Sequence, residues 1–350
     1  MIKKSSALAQ SLLIAIVLGS YRVAAATNIT ACGTFGAGSY TVVNNITSSA
    51  IQCLTFNAGP VNLDLGGYTI SGSGNTNGVL ALGINNVTVR NGTIKGFARS
   101  VGATGNYVVV DAVQALTGTA NGIWVGDNST VENCRVTGHA GGGILAGKNA
   151  TIVGNTLSGN TGNVITVSDS SSVRNNAIYA NSGGSTSAIL ITKNCKVVDN
   201  VITGNSFGVN ASGIQNLISG NTITGSVEGL QVGDNTIITG NNVSNNTDNG
   251  ISAGTDCLIS GNNTSNNTNV GITSDVRTLF LNNVSNGNGN FGIHVNQNSS
   301  AIGNVTDANT ASGLEVSCPS KIAQNTALGN GSPNLSESGA GCLNTDNLAP

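Results

Sequence analysis

The 350 residues include 13 Lys and Arg against 15 Asp and Glu, a formal charge of −2, with 39% hydrophobic, 3% aromatic and only 8% charged residues. Globular domains average about 25% charged residues, and disordered chains combine low hydrophobicity with high net charge, so neither an ordinary charged surface nor simple disorder fits. The slightly acidic balance excludes broad attraction to nucleic acid or anionic lipid.

Lys3 and Lys4, the apolar run Leu12–Leu18 and the small residues Ala24–Ala26 have the order of a secretory signal peptide. Segment 1–26 is therefore expected to be a leader, with an exported chain starting near Thr27. Removing Lys3, Lys4 and Arg22 leaves 10 basic against 15 acidic residues, a net −5. No later segment reaches the about 20 apolar residues of a membrane span. Residues 27–57 are expected to form an N-terminal cap with the first strands, 58–331 the body, and 332–350 a polar C-terminal cap.

A fixed period dominates the body. Gly208, Gly229, Gly250, Gly271, Gly292 and Gly313 are 21 apart, each followed by Val, Leu or Ile, and an Asn row runs in parallel through Asn221, Asn242, Asn263, Asn283, Asn304 and Asn325. Each period holds three short apolar pieces, such as Leu230/Val232, Ile237/Ile238 and Val243, separated by small polar residues. Such a repeat marks a solenoid whose coils bury their apolar faces only against one another. The expected fold is all-β, a single-domain right-handed parallel β-helix of about 12–13 coils with three short strands per coil. The Asn rows belong at inward turns, bonded along the stack. Spacing stretches to 24 between Asn176 and Asn200, which places an insertion near 182–186.

Stacked positions on adjacent coils lie about 5 Å apart, within disulfide range. Cys32 with Cys53 (21 apart) and Cys318 with Cys342 (24 apart) are therefore expected to pair, while Cys134, Cys195 and Cys257 are expected to be buried free thiols.

Residues one coil apart on an outward row are neighbours, and three rows carry candidate chemistry. The first runs Trp124, Leu145, Thr166, Asn210, Gln231, Ser252, Thr273, His294, Glu315. Here Glu315 would orient His294 and raise its pKa as an acid–base pair, and Trp124 would stack on a sugar. The second holds Asp127, Lys148, Asp169 and Lys193 as alternating charges, then Asp234, Asp256 and Asp275, an oxygen-rich corner suited to Ca²⁺. The third is Arg90, Asp111, Glu132 and, after a gap, Arg174. No motif requires a cofactor, and Ca²⁺ is the one ion these rows suggest.

Val61–Gly74 (Val-Asn-Leu-Asp-Leu-Gly-Gly-Tyr-Thr-Ile-Ser-Gly-Ser-Gly) and Asn86–Phe97 resemble the opening coils of pectate-lyase-like β-helix proteins, closest to the NosD-type periplasmic group and related secreted repeat proteins. Tyr68 stands where that group usually has His. The resemblance implies the fold and export to the periplasm or beyond. Function within the superfamily ranges over lyases, hydrolases, epimerases, tailspikes, adhesins and accessory factors, so fold does not choose among them. Neither the acid-and-base set of its uronate lyases nor the grouped Asp of its hydrolases is present. The leading expectation is a non-catalytic β-helix presenting a polar face to polysaccharide or another envelope component. The alternatives are a polysaccharide lyase or epimerase, and a structural, adhesin-like or NosD-like accessory rod.

Overall fold

A computed structural model describes residues 25–350 apart from 75, 182, 184 and 185. Most of the expected leader lies outside these residues, as does most of the 182–186 insertion. Register on either side dates the insertion nonetheless: Leu157 pairs with Ile178, 21 on, whereas Ile178 pairs with Ile202, 24 on.

Each coil turns through three faces, for example Leu258–Ser260, Asn263–Ser265 and Ile272–Ser274. Every pairing is parallel and joins a residue to its counterpart one coil on, as in Ile259↔Phe280 and Ile272↔Ile293. The third face is a sheet of 15 strands, and the first two run together as a sheet of 28 because Val87–Lys95 and Val109–Gly118 turn the corner unbroken. Fifteen coils exceed the expected 12–13. The extra strands are Gly33–Phe35 and Leu335–Ser338, at the two ends read as caps. Both segments lack the Gly–aliphatic repeat yet still pair in register, Gly33 with Leu54 and Leu314 with Leu335.

Three-residue strands point one side chain inward on the first two faces and two on the third. The inner column of the first face includes Ile218, Ile238, Ile259, Phe280, Ala301 and Ile322, all fully buried. β-Branched residues dominate because their stiff side chains pack well on a pleated surface. The glycine ladder has a separate cause. A Cβ on Gly250 would lie 2.5 Å from the Gly271 carbonyl oxygen, and one on Gly292 2.6 Å from that of Gly313. Successive backbones approach too closely there for any side chain.

Asparagine fills two inner corners. At the first, Asn155, Asn176, Asn200, Asn221, Asn241, Asn262, Asn283, Asn304 and Asn325 form one column. Asn283 is typical: its Oδ1 accepts from Asn262 N and Nδ2 at 3.0 Å, and its Nδ2 donates to Ile259 O at 2.8 Å and Asn304 Oδ1 at 3.0 Å. These bonds satisfy corner amides and carbonyls that no strand can reach. The column uses Asn241 and Asn262, not the expected Asn242 and Asn263, which begin second-face strands and are exposed. The coil between Asn221 and Asn241 is one residue short, so a strict period of 21 selects the wrong member of each Asn-Asn doublet. Both disulfides form as expected, Cys32–Cys53 with Cα atoms 4.4 Å apart and Cys318–Cys342 at 5.0 Å, and Cys134, Cys195 and Cys257 are free and buried.

The second Asn corner opens with a histidine. His139 N donates to Asn160 Oδ1 at 3.0 Å, continuing the column pattern, but its ring is fully buried and neither nitrogen closes a hydrogen bond. Burial holds its pKa below the ordinary 6.5, against a weaker upward pull from the Ala115 and Ala120 carbonyls. Below pH 6.5 the unfolded chain therefore takes up a proton that the folded chain refuses, and stability contributed by this site is lost on acidification. His139→Asn would let an amide donate to Ala115 O as Asn160 Nδ2 does to Val136 O at 3.1 Å. Urea unfolding at pH 7.5 and pH 5 is expected to show the variant gaining on the wild type as pH falls. An equal difference at both pH values would contradict this account.

Candidate functional site

The outward row of the third face runs in register through Gly102, Trp124, Leu145, Thr166, Leu190, Asn210, Gln231, Ser252, Thr273, His294 and Glu315. It is the row expected from the sequence, with Leu190 filling the coil that carries the insertion. Trp124 and His294 are eight coils apart, about 38 Å at ~4.8 Å per coil, so they cannot meet on one small molecule.

Three polar clusters mark this face. At one end the Arg99 guanidinium lies 4.5 Å over the Trp124 ring. In the middle, Asn210 Nδ2 donates to Gln231 Oε1 at 3.2 Å, leaving Asn210 Oδ1 buried without a partner. Beside them Glu228 is the one buried acid among the described residues. Burial pushes its pKa up; the Ser252 hydroxyl opposes this, and Asp248 adds to it. At the far end His294 Nδ1 lies 3.4 Å from Thr273 Oγ1, with the Phe291 ring at 5.8 Å. His294 and Glu315 are direct neighbours. Burial nevertheless lowers the imidazole pKa, and the opposing pull of Glu315 is the smaller effect.

The other candidates stand elsewhere. Arg90, Asp111 and Glu132 are in register on the outside of the first face. One coil earlier on that row stands Asp64, whose Oδ2 pairs with Arg90 Nε at 3.1 Å. The corner carboxylates do not stack: Asp256 lies opposite Arg277 and binds it through both oxygens at 2.8 and 2.9 Å, while Asp234 Oδ1 caps the Thr255 amide at 2.8 Å. Among the described residues, Asp234, Asp256 and Asp275 bring no three oxygens within 4.8 Å of one another. Their spacings of 22 and 19 in coils of 21 set them at three successive phases of the turn, so no two share a register position. Glu228 was not singled out from the sequence. Its signal was there: the position before each ladder glycine holds Phe207, Asn249, Val270, Phe291 and Ser312, and Glu228 is the one charge among them.

Parallel coils of this geometry define a right-handed parallel β-helix with one polar, partly desolvated outer face. Residues 100–282, just over half of the chain, match the family model described as periplasmic copper-binding protein (NosD), and the chain belongs to this family. Among solved structures, the A-module of the mannuronan C-5 epimerase AlgE6 from Azotobacter vinelandii is similar at 16% identity and TM-score 0.44, covering 91% of each chain. A mannuronic acid specific polysaccharide family 6 lyase from human gut microbiota is similar at 12% identity and TM-score 0.45, covering 83% of this chain and 80% of that one. The Dettilon tailspike protein gives 14% identity and TM-score 0.36, covering 89% and 61%. No curated protein sequence matches.

The family description names copper, and the described residues do not fit a copper centre. Copper takes imidazole, thiolate and thioether ligands. The ring of His139 is sealed inside the solenoid, and among the described residues His294 belongs to no group of three His, Cys, Asp or Glu ligands. Burial pushes the Cys134 thiol up to about 12 and raises Cys195 and Cys257 as well. Cys195 and Cys257 stand three coils apart, and Cys134 sits at a different corner. The one compact group among the described residues, Cys318, Glu337 and Cys342, has both sulfurs committed to a disulfide.

Proposed function

We propose that this protein is an exported β-helix that binds carbohydrate along its third face, without catalysing a reaction on it. The observation that supports this reading is the presence on that face of buried but unpartnered polar atoms, Arg99 Nε and Asn210 Oδ1. Folded proteins leave few such groups, because each costs about 1–3 kcal/mol unless a ligand or water completes it. Sugar hydroxyls both donate and accept, and a linear glycan matches a row that repeats every ~4.8 Å.

The test is incubation of the chain from Thr27 onward with a panel of neutral and acidic polysaccharides, with and without Ca²⁺. Thermal midpoint, reducing ends and ultraviolet absorbance of unsaturated ends are followed together. Saturable stabilisation without product is the expected result; ligand at 100 times Kd adds about 2.7 kcal/mol. One observation favours a catalytic second reading, that of a lyase or epimerase: Glu228 is a carboxyl shielded from solvent, its pKa raised by that burial and further by the charge of Asp248, and such perturbed carboxyls serve in proton transfer. Product from any polymer would establish that reading. Silence on all three readouts would overturn both and leave an accessory or adhesin-like rod.

A further inference from the structure

Arg99 carries the one positive charge that this fold has drawn below the surface without neutralising it. Every other Lys and Arg among the described residues is exposed, and the ion pairs there engage Arg90, Lys193 and Arg277. The Arg99 guanidinium is half-buried over Trp124, its Nη1 reaches Asn77 Oδ1 at a long 3.5 Å, and its Nε is buried with no partner. Desolvation lowers its pKa, as expected where no carboxylate offsets the lost hydration.

The placement is built rather than incidental. Arg99 pairs with Asn77, and Gly102 pairs with Trp124, so the guanidinium crosses to the ring over a residue without a side chain. A Cβ on Gly102 would lie 3.1 Å from Asn77 Oδ1 and 3.3 Å from Arg99 Cδ, tight enough to push the arginine off its path. Stacking on an indole holds a guanidinium flat while its edge N–H groups stay free. Those edges form a planar fork that matches a carboxylate or sulfate through two parallel bonds.

The geometry points to Arg99, braced by Asn77 and Trp124, as an oxyanion subsite on the third face that takes the carboxylate or sulfate of an acidic sugar. The sugar part of this statement rests on the carbohydrate reading above; the anion part does not.

Trp124 is the only tryptophan in the chain, so its fluorescence reports the site directly. Four probes are titrated into the chain from Thr27 onward: oligogalacturonate, its methyl ester, a sulfated dextran oligomer and inorganic sulfate. The wild type is compared with Arg99→Gln and with Asn77→Asp, which leaves the arginine in place but sets an internal carboxylate against it. Oligogalacturonate or the sulfated oligomer is expected to shift the emission saturably, and whichever binds identifies the carboxylate or the sulfate as the source. The neutral ester and both variants are expected to bind about tenfold or more weakly, the loss of one charge-assisted contact. Thermal midpoints near wild type would show that both variants fold. Equal binding of acid and ester, unchanged in Arg99→Gln, would overturn the subsite and leave the carbohydrate reading standing. A response to inorganic sulfate alone, absent from both variants, would uphold the subsite and remove the carbohydrate reading. No response to any anion would overturn the subsite.

Discussion

Asn262→Ala is expected to destabilise the coils around it by about 3 kcal/mol or more, whereas Asn263→Ala, one residue on, should change stability by about 0.5 kcal/mol or less. Asn262 Oδ1 accepts from Asn241 N at 2.9 Å and Nδ2 at 3.0 Å. Its Nδ2 donates to Ile238 O at 2.9 Å and to Asn283 Oδ1 at 3.0 Å. Truncation strands the Asn241 amide and the Ile238 carbonyl inside the solenoid, and each such group costs about 1–3 kcal/mol when buried and unpaired. Asn263 is exposed at the start of its strand, with none of these partners. Repeat arrays can unfold locally, so hydrogen exchange across residues 238–284 is the measurement of choice. Equal protection losses in the two variants would mean that the column does not run through Asn262.

Phe280→Ala is expected to cost about 3–5 kcal/mol. Phe280 is one of the two largest fully buried side chains, and it sits in its column between Ile259 and Ala301. The large ring fills space that the small Ala301 leaves open in the next coil, a pairing by volume rather than by chemistry. Removal puts two alanines side by side and opens a cavity that rigid strands on three faces cannot close. The swap Phe280→Ala with Ala301→Phe should recover part of the loss, since column volume is restored while the fit is not. Urea denaturation followed by far-ultraviolet circular dichroism measures both. A single-variant cost below about 1 kcal/mol would show that the coils relax more than this packing allows.

The two predictions also mark where sequence reading reaches its limit. Period, strand count per coil, inward Asn corners and both disulfides were legible in the chain. A parallel solenoid turns sequence spacing into spatial adjacency, so Cys32 and Cys53, 21 apart, had to meet. The same rule placed Trp124, His294 and Glu315 on one outward row. It failed by single residues at the corners, where coils of 20 and 24 residues shift the phase. That is why Asn242 stood in for Asn241; the three aspartates lie in regular coils of 21, where spacings of 22 and 19 already set them at different phases.

Burial and mutual orientation on the outer surface required the tertiary structure. Arg99 and Trp124 are 25 positions apart in a chain that repeats near 21, so no count pairs them; a glycine at 102 and the lean of a long side chain bring them together. Glu228 stands out in the repeat as the one charge before a ladder glycine, but its burial is fixed by the residues that pack around it. The repeat by itself determined the coil, because each coil's backbone can be satisfied only by the next. Which outward atoms are left desolvated and unpaired was decided only in three dimensions, because that depends on side chains from several coils closing over one another.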